Sequence, residues 1–130
     1  MINKKILLPH RVRRINGGFS YIPHRFLTDG FLSSLSQKEL LLYLFLVLVS
    51  DRYGLSFYCY DSICSLLELT ADQYIEAREG LMEKELIAFD GSLFQVLDLP
   101  SKPIESKAPK EDPAAIAQLI RQSIKEDKDD

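Results

Sequence analysis

The chain has 130 residues, of which 46% are hydrophobic and 27% charged, a balance typical of one soluble domain with a short extension. The net charge is −3, yet six of the sixteen cations and none of the nineteen acids lie in residues 1–28. Two cysteines, Cys59 and Cys64, exclude a disulfide framework and lack zinc-knuckle spacing, so we expect buried thiols in a reducing compartment.

Membrane insertion and secretion are not expected from the sequence. The longest apolar run, residues 40–49, has about half the length that a helix needs to cross a bilayer. The first five residues include Lys4 and Lys5, and the apolar run that follows them is too short for a secretory signal. We therefore expect a cytoplasmic protein that does not bind membranes.

Residues 1–35 are predicted to form a basic arm that packs on the core. Three runs between residues 6 and 22 have strand character, and Asn16-Gly17 can supply the positive φ angles of a tight turn. This pattern predicts a β-hairpin. Residues 23–27 then begin a short helix, which Asp29-Gly30 closes.

The first long helix has a clear start. Ser36 and Glu39 form a capping box that opens a helix over residues 40–50, and Gly54 suits a left-handed stop. Because this helix is apolar on every side, it must be surrounded, either by other parts of the chain or by a second subunit in a homodimer. The predicted covering residues are Phe19, Tyr21, Phe26, Leu27, Phe31 and Leu32.

Three further elements follow in quick succession. Residues 55–59 have the aromatic, β-prone character of a strand, and Asp61 is predicted to cap a brief helix over 62–67. Residues 70–73 form a second capping box, which starts a helix that runs to about Leu86.

A hairpin completes the domain. Two apolar runs, 87–89 and 93–97, flank the turn Asp90-Gly91-Ser92, and Asp-Gly between such runs is a good hairpin signal. Apolar and polar residues do not alternate cleanly along the second run, so the sequence leaves the register of the hairpin open.

The order helix, strand, helix, helix and hairpin over residues 36–99 resembles the winged helix-turn-helix superfamily. The resemblance depends on the segment 53–56, which leads into the first strand, and on four apolar positions that run from the third helix into the wing. These positions are Ala77, Leu81, Leu86 and Ile87. Within that superfamily the chain is similar to modules of bacterial and phage replication initiators, replication-accessory proteins and mobile-element proteins. The sequence departs from the pattern at Glu85, where many relatives have glycine before the wing. The expected fold class is therefore α+β, a winged helix-turn-helix with an N-terminal hairpin or arm and a tethered C-terminal helix.

The resemblance implies that the third helix is a recognition helix, but its outward face is acidic. At about 100° per residue, Tyr74, Ala77 and Leu81 share the inner side. The opposite side carries four carboxylates: Asp72, Glu76, Glu79 and Glu83. Such a face repels phosphates. It is a solvated surface, a docking surface for a basic protein partner, or a reader of bases, and the sequence leaves these alternatives open.

The basic N-terminal segment is the better candidate for contact with DNA. Its cations could follow a phosphate backbone or enter a minor groove. They are Lys4, Lys5, Arg11, Arg13, Arg14 and Arg25. The alternative is that these side chains pair with the acidic helix faces of the same chain.

The end of the chain changes in composition. Residues 100–111 are rich in Pro, Ser, Lys and Glu and predict a flexible linker. Asp112 and Pro113 then start a helix within 112–130 that ends in an acidic tail. Its apolar stripe, a candidate partner-binding surface, consists of Ile116, Leu119, Ile120 and Ile124.

Catalysis, metal binding and cofactors are not expected. His10 and His24 have no cysteine or carboxylate at metal-ligand spacing, and Gly17-Gly18 belongs to a turn rather than to a phosphate-binding loop. Two functions remain. The first is a DNA-binding protein, regulatory or accessory to replication or transposition, that contacts phosphates through its arm. The second is a protein-protein interaction module that uses the acidic helix and the C-terminal helix.

Overall fold

A computed structural model describes residues 4–105, which form four α-helices, two 3₁₀ turns and three strands. The helices are α1 (Arg25–Thr28), α2 (Gln37–Val49), α3 (Tyr60–Leu67) and α4 (Ala71–Glu83). The strands are β1 (Leu55–Phe57), β2 (Ile87–Phe89) and β3 (Leu93–Val96), and the 3₁₀ turns are Pro9–Arg11 and Leu32–Ser34. The predicted α+β class is confirmed.

The capping box of α2 is confirmed. The Glu39 backbone N–H donates to Ser36 Oγ over 3.1 Å, and the Ser36 N–H donates to Glu39 Oε1 over 2.9 Å. The predicted stop at Gly54 is wrong, because α2 already ends at Val49, where Ser50 turns to extended geometry. Gly54 lies instead in the turn before β1, with φ of +83°, and a Cβ there would lie 2.5 Å from the Val96 carbonyl oxygen.

Helices α3 and α4 differ from prediction at their ends. Helix α3 begins two residues earlier than expected, at Tyr60, and its N-cap is Cys59 rather than Asp61. The capping box of α4 is confirmed, since the Gln73 N–H donates to Thr70 Oγ1 over 3.1 Å. Helix α4 ends at Glu83 instead of Leu86, because Glu85 adopts a left-handed conformation with φ of +58°.

The three strands form one antiparallel sheet in the order β1-β3-β2. Ser56 pairs with Phe94, and Phe89 pairs with the same residue from the other side. The β2–β3 hairpin is confirmed, and its register places Phe94 in the core and Gln95 in solvent. Strand β1 is shorter than predicted and ends at Phe57.

The core lies where α2, α4 and the sheet meet. Its fully buried side chains are Phe31, Phe94, Leu42, Leu46, Ile63, Leu81 and Leu86. Tyr74, Ala77 and Leu81 face inward from α4, as its periodicity predicts.

A buried ion pair joins α2 to the end of α4. Lys84 Nζ lies 2.6 Å from Glu39 Oε1 and donates a second hydrogen bond to the Ser34 carbonyl over 2.8 Å. The two charged side chains are 8% and 13% exposed. Gly80 makes this approach possible, because a Cβ at that position would overlap the Glu39 carboxylate.

The N-terminal region corrects two predictions. From Lys4 to Ile22 the chain forms no strand, so the predicted hairpin is absent, although Gly17 does take a positive φ of +75°. Of the residues expected to cover α2, Phe26 and Phe31 are buried and Leu32 is partly buried, whereas Phe19, Tyr21 and Leu27 are exposed. Only the second half of the region therefore packs on the core.

Two further predictions concern the cysteines and the C-terminal segment. Cys59 is exposed and Cys64 half-buried, so the expectation of two buried thiols is wrong. The linker is described as far as Glu105, and the predicted C-terminal helix with Ile116, Leu119, Ile120 and Ile124 lies outside the described residues.

Candidate functional site

The first part of the N-terminal region, residues 4–19, is the longest uninterrupted exposed stretch of the described chain. From here on, "basic arm" refers to these residues. Every residue in it is exposed, and it carries five cations and no acid. Lys4 and Lys5 precede the 3₁₀ turn, whereas Arg11, Arg13 and Arg14 lie at its end and beyond it. Just after the arm, Ser20 Oγ donates to the Leu48 carbonyl over 3.3 Å, which ties its base to the end of α2.

Exposed apolar side chains alternate with these cations. They are Ile6, Leu7, Leu8, Val12 and Ile15, whose exposed fractions range from 57% to 87%. A segment that presents both charge and this much apolar surface to water is suited to contact a second molecule.

Arg25, the sixth predicted DNA-contacting cation, is engaged inside the fold. Its Nη2 donates to the Pro100 carbonyl over 2.7 Å, its Nη1 donates to the Leu99 carbonyl over 3.3 Å, and its Nε lies 3.1 Å from Asp29 Oδ2. These bonds hold the segment after β3 against α1. Sequence reasoning could not find this role, because the carbonyl groups that Arg25 binds are more than 70 residues away.

The outward face of α4 is acidic, as predicted from its periodicity. Asp72, Glu76 and Glu79 are exposed, while Glu83 is half-buried. At the neighbouring hairpin turn, the backbone N–H groups of Leu93 and Ser92 donate to Asp90 Oδ1 and lower the pKa of this carboxyl. The turn that would act as a wing therefore presents a negative charge.

Beside that face lies a groove that the sequence reasoning missed. We call it the aromatic groove; it has a volume of about 760 Å³ and lies between β1, α4 and the β2–β3 hairpin. Its main lining residues are Phe57, Tyr58, Tyr60, Tyr74, Arg78 and Phe89. The aromatic density of residues 57–60 was the available signal, but the sheet register is what brings Phe89 opposite them.

Arg78 forms the centre of the aromatic groove. Its guanidinium carbon lies 5.3 Å from the centroid of Tyr74 and 5.0 Å from that of Phe89. Its Nη2 lies 3.0 Å from Glu79 Oε2, and its buried Nε has no hydrogen-bond partner within residues 4–105. Burial opposes the charged form, but hydrogen bonds to Tyr74 and Glu79 outweigh it and raise the pKa of Arg78. The guanidinium thus lies within cation–π distance of both rings.

A second cavity, of about 990 Å³, lies between the base of the arm and the end of α2. Tyr43, Leu48, Tyr53 and Val96 are among its lining residues. Burial raises the pKa of Tyr43 above its ordinary value, so this hydroxyl stays protonated at neutral pH. Its lining also includes three exposed charged residues, Asp51, Arg52 and Asp98.

Residues 4–105 contain no group of three or more His, Cys, Asp or Glu side chains placed to hold a metal ion. Nor does any helix of this part of the chain have the length and apolar character needed to cross a membrane.

Comparison with family models, with curated proteins and with solved structures finds no match for this chain. The basic arm, the acidic face of α4 and the aromatic groove are therefore the features from which a function is inferred.

Proposed function

We propose that the protein is a cytoplasmic, non-enzymatic DNA-binding protein of winged-helix type, regulatory or accessory to replication or transposition. The observation that carries this proposal is the basic arm, in which sixteen consecutive exposed residues hold five cations and no acid. Lys and Arg side chains that neutralise phosphates release condensed counterions, which is the main source of sequence-independent affinity for DNA.

The fold supports the winged-helix part of the proposal. Helix α2, strand β1, helices α3 and α4 and the β2–β3 hairpin follow one another in the order that this class of domain uses, and the sheet order is β1-β3-β2. Glu85 adopts a left-handed conformation at the position where many relatives have glycine.

The mode of binding differs from the usual one for this class. Asp72, Glu76 and Glu79 face outward from α4, so a phosphate backbone is repelled by the helix that ordinarily enters the major groove. We therefore assign the phosphate contacts to the arm, which is free to follow a groove or a strand. Binding of this kind depends on the shape and charge of the duplex more than on its base sequence.

The test is a comparison of three proteins for affinity to labelled duplex DNA at low salt. The arm variant is Arg11→Ala/Arg13→Ala/Arg14→Ala, and the matched control removes three exposed cations elsewhere, Lys38→Ala/Arg52→Ala/Lys102→Ala. The arm variant is expected to bind about a hundredfold more weakly or worse, because three counterions are no longer released. The control should bind within a few-fold of the wild type. Equal losses in both variants would contradict the assignment of the contacts to the arm.

A second candidate function is an interaction module for a basic protein partner. The aromatic groove beside the acidic face of α4 favours it, since exposed rings and carboxylates together recognise cationic and apolar side chains. The same DNA experiment separates the two functions. A chain that serves only protein partners binds no duplex, even at low salt.

A further inference from the structure

We propose that the aromatic groove of one copy receives the basic arm of a second copy, so that the protein self-associates by exchange of arms. This inference does not rest on DNA binding. It follows from two complementary surfaces of the same chain, each of which is left uncovered in the single copy.

The first surface is the arm. It displays three arginines, Arg11, Arg13 and Arg14, among apolar side chains such as Leu7, which is 87% exposed. Burying these apolar groups against another surface removes them from water, which is favourable.

The second surface is the aromatic groove. Phe57 is 71% exposed and Tyr60 is 54% exposed at its mouth, an arrangement suited to stack on guanidinium groups and to cover aliphatic side chains. Phe89 of the groove stacks on the buried Phe94 with ring centroids 4.3 Å apart, and the Arg78 guanidinium lies over the rings of Tyr74 and Phe89.

The charges of the two surfaces are complementary. Carboxylates lie one residue from lining positions on three of the elements around the groove: Asp61 follows Tyr60 in α3, Asp72 follows Ala71 and Glu76 follows Ile75 in α4, and Asp90 precedes Gly91 in the hairpin turn. The cation of the lining, Arg78, is paired with Glu79. The four carboxylates beside the lining are exposed, and the arm that we place against them has no acid. Opposite charges arranged in this way favour the encounter of the two surfaces and fix their register.

The donor of the arm is a second copy rather than the same chain. In the single copy every residue of the arm is exposed, so it does not fill the aromatic groove of its own domain. Two copies related by a twofold axis can each give one arm and receive one, which doubles the contact and closes the assembly.

The experiment measures the mass of the full chain by sedimentation velocity, without DNA, over a range of protein concentrations at low and high salt. The arm variant is Arg11→Glu/Arg13→Glu/Arg14→Glu, and the groove variant is Asp72→Lys/Glu76→Lys. A matched control reverses two exposed acids away from the groove, Asp98→Lys/Glu105→Lys. Circular dichroism establishes that each variant is folded.

The wild type and the control are expected to form dimers that dissociate at high salt. Each reversed variant alone should dimerise at least about tenfold more weakly, because arm and groove then carry charge of the same sign. An equimolar mixture of the two reversed variants should regain a dimer, since each arm again meets a groove of opposite charge. A wild type that stays monomeric overturns the proposal. So do a reversed variant that dimerises like the wild type and a mixture that fails to recover.

Discussion

At the scale of single residues, Glu85 shows how a local conformation ends a helix. It adopts φ of +58° directly after α4, a region that costs a non-glycine residue about 1–2 kcal/mol. Glycine avoids that cost but loses more freedom on folding, by about 0.5–1 kcal/mol. Glu85→Gly is therefore expected to raise the free energy of unfolding by up to about 1 kcal/mol, measured by urea denaturation.

Glu76→Gly is the matched control for that change. Glu76 is also exposed but lies within α4, where glycine lowers helix stability by about 1 kcal/mol. The two substitutions should thus act in opposite directions. If Glu85→Gly lowers the free energy of unfolding as Glu76→Gly does, the left-handed conformation of Glu85 does not have the cost that we assign to it.

The contribution of the ion pair between Lys84 and Glu39 to the free energy of unfolding can also be tested. Lys84→Met is expected to lower the free energy of unfolding by about 3 kcal/mol, because it leaves the Glu39 carboxylate largely buried without its cation. Adding Glu39→Gln removes that uncompensated charge and still permits the capping box, so the double variant should recover part of the loss. A double variant no more stable than Lys84→Met contradicts this account of the pair.

At the scale of elements, the hairpin turn links stability to pH through Asp90. Two backbone N–H groups hold its carboxylate, and they lower the pKa of Asp90 in the folded protein. Its contribution to stability is therefore fully present above the unfolded pKa, about 4, and is lost as pH falls through the folded value. Asp90→Ala should lower the free energy of unfolding at pH 7, and the gap to wild type should close as the solution is acidified towards pH 2. A gap that is constant with pH, in urea denaturation series at each pH, contradicts this role.

Elements defined by local signals were predictable from the sequence. Both capping boxes and the Asp90-Gly91 turn depend on residues within four positions of one another, and all three form as expected. The hairpin expected at Asn16-Gly17 was also inferred from a local signal, but it fails. Gly17 adopts the positive φ, yet residues 11–15 are exposed throughout and have no core face to bury, so no strand pairing follows.

Features that depend on distant contacts were not predictable. Arg25 was assigned to DNA from its place in a basic segment, whereas its bonds to the backbone of residues 99–101 arise from the tertiary fold. The aromatic groove likewise requires the pairing of β2 with β3 and the packing of α4 beside them. A single sequence does not show which distant residues meet.

At the scale of the whole molecule, charge is divided between two surfaces. The arm holds five exposed cations, and the outward face of α4 holds exposed carboxylates. The domain places these surfaces on separate elements, so the same chain has one part suited to phosphates and another suited to basic partners. The arm is common to both proposals, which makes its charge the central quantity in this account.

The most direct test of that account is the salt dependence of DNA binding by the wild type. If Lys4, Lys5, Arg11, Arg13 and Arg14 all meet phosphates, log affinity should fall against log salt with a slope of about −4.5. With alanine at the three arginine positions, the slope should be about −1.8, since two contacts remain. Equal slopes for the two proteins, or no binding at the lowest salt, would contradict the claim that the arm binds DNA.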